Sequence, residues 1–125
     1  MIENESLFIA DSLWSATANS KITCNALIGD KETEIAIIGA GYTGLSAALH
    51  LSEKNKNIVV LDSENPGWGA SGRNGGQVNP GLKEDPNEIE AKFGAEVGRR
   101  IVDMSGTAPD LVFSLIKKYN IDCDA

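Results

Sequence analysis

The residues with the clearest chemical pattern are glycines, and they occur in two stretches on either side of one aspartate. Residues 39–44, GAGYTG, match the spacing G-x-G-x-x-G. They follow an apolar run and open a segment with helical periodicity. Asp62 ends the next apolar run, near the ~20 positions beyond the glycines that a dinucleotide fingerprint requires. This order of elements predicts a site for a dinucleotide.

Each glycine of the first stretch has its own physical role in such a site. Gly39 allows a tight turn, Gly41 lets a diphosphate approach the backbone, and Gly44 lets the helix pack closely on the strand. Free amides at the helix start favour the diphosphate, and Asp62 would accept hydrogen bonds from the adenosine ribose. A carboxylate repels a 2′-phosphate, so NADP is the least favoured ligand. The alternative is a strand-to-helix turn that binds no ligand.

The second glycine stretch, GWGASGRNGG at residues 67–76, lies shortly after Asp62. Its bare backbone would let a flat ring or a ribityl chain pass closely and would offer amide donors to it. The first stretch by itself does not separate NAD from FAD. A second stretch that continues along the cofactor favours FAD.

The surrounding elements predict an α/β fold of the Rossmann type. Residues 34–38 and 58–62 are short β-branched runs typical of parallel strands buried on both faces. Apolar positions from Tyr42 to about Lys54 have helical spacing and predict the crossover helix of a βαβ unit. Residues 63–81 predict a long loop.

Three helices are predicted after the loop, and an arm before the first strand. The first helix begins at Pro86 and ends before Gly94, the second covers about 97–106, and the third covers about 111–119 with Asp110 in its first turn. Residues 1–33 are interpreted as an N-terminal arm with a short edge strand over 22–28, and residues 34–125 as the N-terminal part of a cofactor-binding domain.

Length, composition and charge exclude several classes of protein. The 125 residues, with 42% apolar and 23% charged side chains, suit at most one ordinary globular domain. A net charge of −7 disfavours nucleic acid and anionic membranes as partners. No apolar run is long enough to span a membrane, and the acidic start predicts a cytoplasmic protein. Cys24 and Cys123 match no metal spacing, so no metal site is predicted.

Taken together, GAGYTGLSAALHL, VVLD and GWGASGRNGGQV resemble the N-terminal part of the FAD-dependent oxidoreductases of the D-amino-acid oxidase superfamily. The resemblance is strongest to the γ-glutamylputrescine oxidase-like branch and runs from about Trp14 to residues 121–123. Members of this family continue for several hundred residues beyond this point. The resemblance therefore implies a fragment that is incomplete and inactive alone.

The resemblance implies FAD as cofactor and assigns positions along it. Residues 39–44 match the phosphate turn, Asp62 matches the ribose acid, Ala70 and Ser71 match positions beside the diphosphate and ribityl chain, and 73–77 match the segment beside the isoalloxazine. The resemblance implies that Arg73 tunes the ring, because a fixed guanidinium stabilises the anionic reduced flavin. The alternative for Arg73 is an exposed loop arginine or one paired with a nearby acid. The assigned residues are Gly39, Gly41, Tyr42, Thr43, Gly44, Asp62, Ser63, Ala70, Ser71, Gly72, Arg73, Asn74, Gly75, Gly76 and Gln77.

The activity implied by the resemblance is oxidation of the C–N bond of a small amine or amino acid to an imine, by hydride transfer to flavin. The substrate itself, the electron acceptor and the oligomeric state stay open, and no catalytic residue is assigned. His50 is interpreted as a surface or packing residue, and Trp14 and Trp68 as packing residues. Two alternatives remain: a NAD-dependent dehydrogenase fragment and a noncatalytic truncated product.

Overall fold

The computed structural model describes residues 13–18 and 22–123. The chain divides into two compact units, one up to Gly75 and one from Gly76 onward. The helices and strands, in chain order, are α1 Leu13–Thr17, β1 Ile35–Ile38, α2 Tyr42–Ser52, β2 Ile58–Leu61, a 3₁₀ turn Ala70–Gly72, α3 Pro86–Phe93, α4 Ala95–Gly106 and α5 Ala108–Tyr119.

The first unit contains the predicted βαβ arrangement. β1 and β2 pair in parallel, with Ile35 opposite Ile58 and Ile38 opposite Leu61, and α2 forms the crossover between them. The helix ends about two residues earlier than predicted. A turn replaces its last residues, and Asn55 adopts a positive φ of 56° there.

The expected burial of both strand faces is wrong for β1. Ile35 and Ile37 are half-buried, whereas Ala36 and Ile38 are exposed, and 80% of the Ile38 surface is accessible. The helix α2 accounts for the covered face, because a Cβ at Gly44 would lie 3.3 Å from the Ile37 Cγ2 atom. Within the described part of the chain, the sheet consists of β1 and β2 alone.

The predicted edge strand over residues 22–28 is also absent. These residues form neither a helix nor a strand, and Ile28 is 86% exposed. A segment with alternating apolar residues forms a strand only where the backbone of a neighbouring strand pairs with it. The structure describes no such neighbouring strand beside residues 22–28. The arm instead contains the short helix α1, which sequence analysis missed. Its residues 1–12 and 19–21 lie outside the described residues.

The second unit contains the three predicted helices. The Asp85 side chain caps α3 by accepting a hydrogen bond from the Asn87 amide at 2.8 Å, and Pro86 occupies the first helical position. Gly94, at a φ of 81°, joins α3 to α4, and Ile89 is buried. No helix among the described residues is long and apolar enough to cross a membrane.

Candidate cofactor-binding site

The first glycine stretch forms a tight turn between β1 and α2. Gly39 has a φ of 103°, in the region that favours glycine, and its amide donates to the Leu61 carbonyl at 2.7 Å. A Cβ at Gly44 would collide with the Gly39 carbonyl oxygen. Both glycines are therefore required for the chain to turn and for α2 to lie close against β1.

The N-terminus of α2 presents several amide donors together. Gly41, at the N-cap, provides no side-chain cap, and the first intrahelical bond runs from the Leu45 amide to the Gly41 carbonyl at 2.9 Å. Within the described residues, the amides of Gly41, Thr43 and Gly44 have no acceptor. Open donors at the positive end of a helix dipole favour an anionic group such as a phosphate.

The second glycine stretch folds directly onto this turn. The Gly67 amide donates to the Ala40 carbonyl at 3.0 Å, and the Tyr42 amide donates to the Ser71 hydroxyl at 2.9 Å. A Cβ at Gly41 would lie 2.9 Å from the same Ser71 Oγ atom. The two stretches therefore form one site, in which Ser71 caps a helix that begins 29 positions earlier.

Asp62 connects the turn to the loop that follows β2. Its Oδ2 atom accepts from the Ala40 amide at 2.6 Å, and its Oδ1 atom accepts from the Glu64 amide at 2.9 Å. The Ala40 bond, followed by the Glu64 bond, lowers the pKa of the Asp62 carboxyl below its ordinary value, against a smaller opposing effect of burial. The carboxylate keeps further acceptor capacity, so this local role is compatible with binding ribose hydroxyls.

Arg73 stacks on a neighbouring tryptophan. Its Nε donates to the Trp68 carbonyl at 2.8 Å, and its guanidinium carbon lies 4.3 Å from the Trp68 ring centroid. A cation–π contact of this kind holds the guanidinium in a defined plane. Trp68 thus orients Arg73 through both its carbonyl and its ring.

The Asn74 side chain makes several hydrogen bonds within the site. Its Nδ2 atom donates to the carbonyls of Ala70 at 3.1 Å and Ser71 at 2.9 Å, and lies 3.4 Å from the Tyr42 hydroxyl. Its backbone carbonyl accepts from the Trp14 indole at 3.0 Å. Sequence analysis missed this tryptophan contact, because no local pattern joins residues 60 positions apart.

The structure brings most of the predicted site residues together, but not all of them. The residues from Gly39 to Gly75 belong to the first unit, and Gly76 and Gln77 belong to the second. Ser63 follows Asp62 and is exposed. His50 is half-buried on α2, with its Nδ1 atom 3.8 Å from the Glu53 carboxylate. Within the described residues, no three metal-ligating side chains form a cluster.

The arrangement fits a dinucleotide. The open amides of α2 suit a diphosphate, the bare Gly41 backbone leaves room for Ser71 at the start of the helix, and Asp62 supplies a carboxylate acceptor beside the same turn. Residues 34–125 match the family described as FAD dependent oxidoreductase. The chain belongs to this family. The expected fold type and FAD as the family's cofactor agree with this match.

Individual relatives support the same family. The chain is 38% identical over 113 residues to γ-glutamylputrescine oxidoreductase of Escherichia coli, which covers 90% of this chain and 26% of the relative. It is 40% identical over 94 residues to the probable oxidoreductase OrdL of Haemophilus influenzae, which covers 75% of this chain and 22% of the relative. The chain thus spans about a quarter of these relatives' length. No solved structure matches it significantly.

Proposed function

We propose that this chain forms the FAD-binding part of an oxidoreductase that converts the C–N bond of a small amine or amino acid to an imine. The bound cofactor supplies the hydride acceptor, and the residues of this chain bind it and orient it. Because the chain spans about a quarter of its relatives, we expect the 125 residues alone to bind the cofactor without oxidising an amine.

The observation that carries this proposal is the hydrogen bond from the Tyr42 amide to the Ser71 hydroxyl at 2.9 Å. It joins the anion-binding start of α2 to the second glycine stretch. A ligand with its diphosphate at α2 would continue along residues 67–75. FAD has the required length and an electron-accepting ring at the far end.

Each part of the site receives a proposed role. The amides of Gly41, Thr43 and Gly44 hold the diphosphate, and Asp62, with Ser63 beside it, binds the adenosine ribose. Ala70 and Ser71 line the diphosphate and ribityl chain, and residues 73–77 lie beside the isoalloxazine. Arg73 stabilises negative charge on the reduced ring, because a guanidinium carries positive charge and presents its donors in a fixed geometry.

The proposed substrate class comes from the relatives. One of them is named γ-glutamylputrescine oxidoreductase, which favours an amine. Another, of Arabidopsis thaliana, is named L-2-hydroxyglutarate dehydrogenase and is 34% identical over 67 residues. Relatives named for chemically different substrates share this region. That such relatives share this region supports its assignment as a cofactor-binding region. The identity of the substrate needs a separate test.

Cofactor binding is tested by titrating the purified chain with FAD and with NAD and following flavin fluorescence and tryptophan quenching. We expect FAD to bind and NAD to bind far more weakly. Gly41→Ala should weaken FAD binding by about tenfold or more, because its Cβ would push Ser71 away from the start of α2 and disturb the proposed diphosphate site.

Gly106→Ala, at the end of α4 and outside the candidate site, is the control, because a Cβ there meets no atom within 4 Å. Tighter binding of NAD than of FAD would support a NAD-binding fragment. Binding of neither would support a noncatalytic product.

The substrate class is tested in the natural protein that carries this sequence, by supplying amines and 2-hydroxy acids without oxygen. Flavin bleaching by 2-hydroxy acids but not by amines would contradict the amine assignment.

A further inference from the structure

The helix α1 contacts the second glycine stretch through one defined hydrogen bond. The Trp14 indole Nε1 donates to the Asn74 carbonyl oxygen at 3.0 Å, although Trp14 itself is 48% exposed. A half-exposed tryptophan that gives its only donor to a backbone carbonyl is poorly explained by packing alone. The contact brings the N-terminal arm into the candidate site.

The position of the Asn74 carbonyl determines the direction of the next amide. The Asn74 carbonyl and the Gly75 N–H belong to one peptide group, and no described peptide bond is cis. In a planar trans peptide the C=O and the N–H point in opposite directions. By holding the carbonyl, Trp14 therefore aims the Gly75 N–H away from α1.

The Gly75 N–H is available as a donor. Within the described residues it has no acceptor, and a Cβ at Gly75 would meet no atom within 4 Å. A backbone amide fixed in advance toward open space stabilises an acceptor without the energy of reorganisation. The structure thus places an oriented donor on the stretch proposed to follow the cofactor.

The Asn74 side chain anchors the residue but not the peptide that follows it. Its Nδ2 atom is held by the carbonyls of Ala70 and Ser71, which fixes the position of the residue in the loop. Rotation about the Asn74 ψ angle and the Gly75 φ angle can still turn the next peptide, and glycine permits this rotation more readily than other residues. The Trp14 bond to the Asn74 carbonyl restricts this rotation.

We infer that Trp14 is a positioning residue of the cofactor site: its indole N–H fixes the Asn74 carbonyl and thereby directs the Gly75 amide toward the flavin ring. This inference rests on the proposed function. It assigns the N-terminal arm a role in holding and tuning the cofactor.

The test compares wild-type protein with Trp14→Phe, which keeps an aromatic ring and loses the N–H donor. We expect FAD to bind about fivefold to tenfold more weakly, the effect of one hydrogen bond. The reduction potential of the bound flavin should fall, because the anionic reduced ring loses a donor. In ¹⁵N NMR spectra, FAD should shift the Gly75 amide signal in the wild type and shift it less in the variant.

Leu13→Ala is the control, since Leu13 lies beside Trp14 in α1 and is 66% exposed; it should leave all three measurements unchanged. A wild-type chain that binds no FAD contradicts the proposed function. If Trp14→Phe binds FAD as tightly as the wild type, with the same reduction potential and the same Gly75 shift, only the role of Trp14 is overturned. If the variant fails to fold, an unshifted Gly75 signal in the FAD-bound wild type overturns it.

Discussion

The two units of the molecule use glycine in the same steric way for different purposes. A Cβ at Gly44 in the first unit would collide with the Gly39 carbonyl, and a Cβ at Gly98 in the second would lie 2.5 Å from the Glu90 Cα. Gly44 brings a helix N-terminus with open amides against a turn, whereas Gly98 brings α4 against α3. A close backbone approach therefore indicates a ligand site only where unused donors converge.

The hydrogen bonds of the two units show the same contrast. In the first unit, Ser71 caps α2 from 29 positions away and Asp62 binds the Ala40 amide from 22 positions away. In the second unit, Thr107 donates to the Asp103 carbonyl four positions earlier and Ser114 to the Leu111 carbonyl three earlier. The long-range side-chain hydrogen bonds of Ser71 and Asp62 hold the candidate site of the first unit together. The local hydrogen bonds of Thr107 and Ser114 stabilise individual helices of the second unit.

The largest expected effect comes from adding a side chain at each of the two glycines where backbone segments approach closely, Gly44 and Gly98. Gly44→Ala and Gly98→Ala should each destabilise the protein by about 2–3 kcal/mol, because the contacting atoms are backbone and have little freedom to move. Only Gly44→Ala should also weaken FAD binding, by about tenfold or more. Gly98→Ala should change it by less than about twofold, as expected for independent sites.

Thermal unfolding and FAD titration measure both effects. Gly106→Ala serves as the control for α4, because a Cβ there meets no atom within 4 Å. Equal loss of FAD affinity in the Gly44 and Gly98 variants would remove the functional distinction between the units.

A smaller effect is expected from removing the long-range cap. Ser71→Ala deletes the acceptor of the Tyr42 amide and should lower stability by about 1 kcal/mol, the usual value for loss of an N-cap. Ser71→Thr keeps the hydroxyl and should restore most of this loss. Ser114→Ala, which removes a hydroxyl that bonds only locally, is the matched variant in the second unit. An equal loss of unfolding free energy for Ser71→Ala and Ser114→Ala, measured by chemical denaturation, would contradict the role of Ser71 as the cap of α2.

The smallest effect concerns the pH dependence of Asp62. Its pKa is lowered in the folded state, so its contribution to stability is present above the unfolded value of ~3.9 and is lost as pH falls through the lower folded value. The carboxyl is exposed, so this contribution is below about 1 kcal/mol. Asp62→Asn should flatten the acid side of a stability–pH profile measured by chemical denaturation. If the Asp62 variant lost stability with falling pH as steeply as the wild type, the Asp62 carboxyl would be excluded as the source of that loss.

The elements of the chain were predictable because each depends on neighbours in sequence. β-branched runs predicted β1 and β2, and the boundary residues Pro86, Gly94 and Gly106 predicted the helices after the loop to within a few residues. The failures concern partners elsewhere in the chain. The segment 22–28 lacks a ladder, and α2 covers only one face of β1. The 3₁₀ turn at Ala70–Gly72 carries no periodicity by which to recognise it.

The sequence by itself determined the two bare-backbone stretches, the acid between them and the family resemblance, because residue type and spacing carry that information directly. Only the tertiary structure decided that Ser71 completes α2, that Asp62 binds the Ala40 amide, and that Trp14 holds the Asn74 carbonyl. These contacts join residues between 22 and 60 positions apart. Hydrogen bonds depend on distance and direction in space, and folding sets both.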